Sequence, residues 1–177
     1  MIVDTSFVLD IIDDVDAALE KEQELEAESV PLVIPSMTVL ELYIGVGKVA
    51  NTREERQKVE SVLDSYPLVD TTPSISRRAG RLLGERMTDA DENKGAGIGK
   101  GDAVVAATAL RRDEPVLAGD GHFGNIPGVT HETYRSAARM KGLAAGRAEG
   151  GRGAEVPDAR VGAERGGRLS VQGVVDL

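Results

Sequence analysis

Residues 1–12 read MIVDTSFVLDII, and the order of residue types in this stretch decides the fold. Ile2 and Val3 make a short apolar strand, Asp4 ends it, and the chain turns at once into a helix that Ser6 can cap. The helical stretch runs on through residue 28, with a break expected at Asp13-Asp14. VPLVIP (30–35) is the next β-rich run, followed by the helix SMTVLELYIGVGKV (36–49) with Ser36 as its expected N-cap. Residues 53–66 form an amphipathic helix, because Val59, Val62, Leu63 and Tyr66 recur at helical spacing. PLVDTT (67–72) is a third strand. Pro73 opens a helix to about Met87 with Ile75, Ala79, Leu82, Leu83 and Met87 inward, and residues 88–99 form a polar loop. A helix at 101–112, the strand EPVLAGD (114–120) and the turn-rich GHFGNIPGV (121–129) complete the pattern. Strands separated by helices imply βαβ units, hence an α/β fold with a mainly parallel sheet and helices on both faces.

The 177 residues allow one compact domain and a tail. Hydrophobic residues make up 41% but aromatics only 3%, with no Trp, so aliphatic side chains must fill the core. The absence of Cys excludes disulfides, thiolate metal sites and a Cys nucleophile. No signal peptide is visible, and the longest apolar runs, such as 30–35 and 103–107, are too short to cross a bilayer. A cytoplasmic protein with no membrane partner is expected.

Residues 1–134 are taken as the folded domain, and residues 135–177, rich in Gly, Ala and Arg, as a disordered tail. The net charge is -9 overall, near -12 in the domain and +3 in the tail. Such a balance opposes general affinity for nucleic acid, so an RNA-binding site must be a local positive groove. Arg77, Arg78 and Arg81, with Arg86 further along, are candidates for its rim, with ion pairing to the abundant acids as the alternative.

Thirty acids make position more informative than number. Asp4 and Asp120 end strands, where ligands gather in open parallel sheets. Asp102 stands in the first turn of a helix, and Glu41 interrupts an apolar helical run. Singly, each has an ordinary role, as a turn residue, a helix-dipole partner or a solvated acid. Together they demand a cation. Two carboxylates about 5 Å apart repel by roughly 3 kcal/mol at an effective dielectric of 20. Oxygen-only ligands favour Mg²⁺ or Mn²⁺, which activates water for phosphodiester hydrolysis.

Four segments, MIVDTSFVLDII, PSMTVLELYIG, GKGDAVVAATAL and PVLAGDGHFGNIPGV, in this order and spacing, resemble the signature segments of PIN-domain nucleases, most closely the VapC-type toxins of toxin–antitoxin pairs. The likeness covers residues 1 to about 134. It implies a three-layer α/β/α fold and a metal-dependent endoribonuclease with Asp4, Glu41 and Asp102 as central acids. Asp120 holds the fourth, more variable position, and Ser6 the hydroxyl that orients the first Asp. It further implies an RNA substrate such as tRNA or rRNA, a homodimer and an antitoxin protein as partner. The sequence departs from the pattern at Ala118, where a Thr or Ser often stands, and in a longer, more acidic loop before Asp102.

Three other readings compete. GAGIGKG (95–101) is not a phosphate loop, because Gly101 replaces the required Ser or Thr and no strand precedes it. A haloacid-dehalogenase-like phosphatase needs a second Asp where Ser6 stands. The non-enzymatic alternative is a catalytically inactive PIN module that binds RNA or a protein. His122 and His131 lie near Asp120 and are weak candidates for a ligand or base. Phe123 is expected to anchor its loop in the core.

Overall fold

The computed structural model describes residues 1–89 and 97–135. The elements run β1 (Ile2–Val3), α1 (Thr5–Ile12), α2 (Asp16–Ala27), β2 (Ile34–Pro35), α3 (Ser36–Lys48), α4 (Thr52–Leu63), β3 (Leu68–Val69), α5 (Pro73–Asp89), α6 (Lys100–Arg112), β4 (Val116–Leu117) and β5 (His131–Glu132). A 3-10 turn spans His122–Asn125. The break between α1 and α2 falls at Asp13-Asp14, where Asp14 takes a positive φ of 52°.

Every strand pair is parallel. Ile2 lies opposite Val116, Ile34 opposite Leu68, and Val116 opposite His131. Val3 N donates to Val33 O at 3.0 Å and Val33 N to Met1 O at 2.9 Å, joining β1 to the chain entering β2. The order across the sheet is therefore β3-β2-β1-β4-β5. The chain steps outward from β1 to β3 and then returns to the other side of β1, so the order reverses between β1 and β4.

Alternation along the strands builds two cores, because successive side chains point to opposite faces. Val3, Ile34 and Leu117 face one layer, with Phe7 and Val8 of α1, Leu25 of α2, Leu42 and Val46 of α3 and Val59 of α4. Ile2, Val33, Val116 and Ala118 face the other, with Ile75 and Ala79 of α5, Val105 and Ala106 of α6, and Phe123. This is the three-layer α/β/α arrangement. The aromatic shortage concentrates weight on Phe7, whose ring meets Tyr134 edge-on at 5.1 Å.

Three local expectations are corrected. Asp4, not Ser6, caps α1: its carboxylate accepts from the Ser6 amide two residues in, while Ser6 is already helical. Ser36 does not cap α3, because Pro35 holds the cap position and the Ser36 hydroxyl donates to Val69 O of β3 at 3.1 Å. Met87 is 65% exposed, because the phase set by Ile75, Ala79, Leu82 and Leu83 brings Arg86 rather than Met87 to the inward face. Of the polar loop, residues 90–96 lie outside the described residues, as does the tail from 136 onward. No helix among the described residues is long and apolar enough to cross a membrane.

Candidate functional site

In open parallel sheets a reversal such as that between β1 and β4 leaves a crevice at the carboxyl edge, and both strands release an acid there. Asp4 follows β1 directly; Asp120 follows β4 after Ala118 and Gly119. Asp102 enters from the first turn of α6, and Glu41 from the second turn of α3. All four acids singled out in the sequence interact at this edge.

Burial and mutual repulsion set their charge. Burial pushes the Asp4 carboxyl above the ordinary carboxylate range, against the pull of two Ser6 hydrogen bonds, and Asp102 and Asp120 add to the rise. Glu41 is pushed up to about 7, first by burial, with the Thr5 hydroxyl acting the other way and Asp4 and Asp102 raising it further. No cation among the described residues offsets these terms, so full ionisation calls for a further positive charge.

Each carboxylate has one oxygen tied to a local donor. Asp4 Oδ2 accepts from the Ser6 amide at 3.1 Å and the Ser6 hydroxyl at 2.7 Å. Glu41 Oε2 accepts from the Thr5 hydroxyl. Asp102 Oδ2 accepts from the Gly99 amide at 2.7 Å, and Asp120 Oδ1 from the His122 amide at 3.1 Å. The second oxygens, Asp4 Oδ1, Glu41 Oε1, Asp102 Oδ1 and Asp120 Oδ2, accept no protein hydrogen bond among the described residues. As placed, no three acidic or His side chains among the described residues close on one point as a ready ligand cage.

Ser6 ties the two strand ends together. Its hydroxyl donates to Asp4 and accepts from the Gly119 amide at 3.0 Å. Two glycines make the close approaches possible. A Cβ at Gly101 would collide with Glu41 Oε1, and one at Gly119 would lie 2.5 Å from Arg135 Nε and 2.7 Å from the Tyr134 hydroxyl. The sequence reading gave no part in this site to Gly101, Gly119, Asp10, Tyr134 or Arg135. The glycines directly preceding Asp102 and Asp120 were the available signal.

Of the other candidates, His122 lies against one of the four acids, and the α5 arginines and His131 make different contacts. Arg77, Arg78 and Arg81 line a groove along α5 with Ser74, Leu82 and Glu85. Arg78 donates to Leu110 O, near the end of α6 remote from Asp102. Arg86 donates to Asn125 O at 3.1 Å. His122 Nδ1 lies 3.4 Å from Asp120 Oδ1 and is exposed, whereas the His131 ring packs against Phe123. Phe123 is buried, as its anchoring role requires.

Comparison with known proteins follows this geometry. No curated protein sequence matched the chain. Among solved structures, VapBC2 from Rickettsia felis bound to a promoter DNA fragment matches with a TM-score of 0.65 at 20% identity, covering 75% of this chain and 97% of that one. DNA-bound VapBC from Salmonella typhimurium gives 0.63 at 21% identity, covering 75% and 96%. VapBC-5 from Mycobacterium tuberculosis gives 0.51 at 24% identity, covering 76% and 96%. At these identities the likeness establishes the fold. The family model described as PIN domain matches residues 1–129, well over half of the sequence, and the chain therefore belongs to the PIN domain family.

Proposed function

We propose that this protein is a metal-dependent endoribonuclease and the toxin of a type II toxin–antitoxin pair. The observation that carries the reading is the shared state of the four acids at the strand reversal. Each of Asp4, Glu41, Asp102 and Asp120 has one oxygen anchored and the other without a donor among the described residues. An oxygen-only set of this kind fits a hard divalent cation, Mg²⁺ or Mn²⁺. The raised carboxyls of Asp4 and Glu41 fit it too, because ionising both without a counter-charge is costly. When bound, such a cation supplies Lewis acidity and water activation for phosphodiester hydrolysis.

The protein's own share is orientation. Ser6 fixes the Asp4 rotamer through two hydrogen bonds and holds Asp4 to the β4 end through Gly119. Thr5 does the same for Glu41 from the first residue of α1. The Gly99 amide sets Asp102, so an acid that serves the start of α6 also presents its other oxygen to the crevice. Asp120, more exposed and held by one amide, is the most loosely fixed of the four.

The VapBC names of the structural neighbours support an antitoxin protein as partner. RNA such as tRNA or rRNA as substrate, and a homodimer as working unit, extend the same reading.

The test is incubation of the purified chain with total cellular RNA and Mn²⁺ or Mg²⁺, with and without EDTA, beside Asp4→Asn. Discrete fragments that need both the metal and Asp4 support the proposal, and their ends identify the target. Intact RNA in every lane, with no antitoxin co-purified, favours a PIN module that binds without cutting.

A further inference from the structure

A nuclease domain with a net charge near -12 needs a cation where the RNA backbone approaches its acids. On α5, Arg78 reaches Leu110 O at the far end of α6, and Arg86 is turned onto Asn125 O. Arg135, just after β5, stands beside the strand ends themselves. Its guanidinium packs on the backbone of Gly119, the residue that precedes Asp120 and whose amide holds Ser6.

The placement is over-determined. Arg135 Nε donates to Asp10 Oδ2 and Nη2 to Asp10 Oδ1, both at 3.0 Å. The Tyr134 hydroxyl donates to the same Asp10 Oδ2 at 2.7 Å and also reaches Ser6 O at 3.3 Å. The Asp10 side chain is 15% exposed and that of Arg135 49%. Thus α1 supplies a mostly buried carboxylate that fixes one edge of the guanidinium. The other edge carries Nη1, which has no hydrogen-bond partner among the described residues. A planar fork fixed on one edge and open on the other suits a phosphate oxygen, and its ordering cost is already met.

We propose that Arg135 binds an RNA phosphate at the rim of the acidic crevice, with Asp10 and Tyr134 as its positioning residues. This rests on the nuclease reading above. A purely structural latch between β5 and α1 makes the same internal contacts but does not touch RNA, so the two differ in substrate affinity and salt dependence.

The experiment uses the full chain and the RNA cut in the assay above, resynthesised with a label around its cut site. Steady-state kinetics are compared for wild type, Arg135→Gln and Arg135→Lys over a range of KCl. In Arg135→Gln, KM is expected to rise about tenfold with kcat within about twofold, the size of one lost charge-assisted hydrogen bond. The slope of log KM against log salt should shrink by about 0.7, the share of one phosphate contact on a single strand. Arg135→Lys should keep the slope while KM still rises, because a point charge replaces the fork. A folded Arg135→Gln with wild-type KM and slope overturns the inference and leaves the nuclease reading standing. If the Gln variant does not fold, a wild-type KM in Arg135→Lys overturns it. Absence of cleavage by the wild type would instead defeat the nuclease reading itself.

Discussion

Glu41 of α3 and Gly101 of α6 are fitted to each other: the missing side chain at 101 is the space that Glu41 Oε1 occupies, with Cδ only 3.0 Å from where a Cβ would stand. Gly101→Ala must move either the carboxylate or the first turn of α6 that carries Asp102. We expect a loss of about 1–3 kcal/mol in stability, as for other overpacked sites, and at least a tenfold fall in RNA cleavage, the rate factor of about 1.4 kcal/mol. Gly84→Ala on α5 is the control, because nothing stands within 4 Å of a Cβ there. It should stabilise the helix by about 0.5–1 kcal/mol. Thermal melts and cleavage rates of the two variants check the contrast.

Ser6 joins two strand ends through a single hydroxyl. Ser6→Ala leaves the Gly119 amide without its acceptor and Asp4 with one donor fewer. The expected cost is about 1–3 kcal/mol in denaturant unfolding. Cleavage should fall with it, and Ser6→Thr, which keeps the hydroxyl, should restore more activity than Ser6→Ala.

The charge of Glu41 gives a pH signature in the metal-free protein. Its carboxyl titrates at about 7 when folded, against 4.5 ordinarily. Between these values the folded state holds a proton that the unfolded state has released, so stability falls as pH rises through this window. Glu41→Gln, which mimics the protonated form, should lose this component and gain on the order of 2 kcal/mol over wild type above pH 7. Urea melts in EDTA across pH 4.5 to 8 measure it. Parallel curves for the two proteins would contradict the burial argument.

Much of this molecule was legible in the sequence because it follows local rules. Strand, acid and helix follow one another within twelve residues at Asp4, and the spacing of Val59, Val62 and Leu63 fixes the buried face of α4, which ends before Tyr66. The four acids proposed as the site stand at element ends or within an apolar run, the positions that single them out in the sequence. What stayed hidden depends on contacts distant in sequence. Asp10 and Arg135 meet across 125 residues, Ser6 and Gly119 across 113. No local rule predicts that a glycine beside each of two acids is there to admit a side chain from another element. The caps failed for a related reason, since Ser36 is drawn away from α3 by β3, a strand that arrives more than thirty residues later.

The proposed function requires the acids at the strand reversal to hold one divalent cation jointly. Titration of the full chain with Mn²⁺, followed by the electron paramagnetic resonance of the free ion, tests it most directly. The account predicts saturable binding in the wild type that is strongly weakened in both Asp4→Asn and Asp102→Asn, with circular dichroism showing each variant folded. Wild-type affinity in both folded variants, or no saturable binding in the wild type, would contradict it.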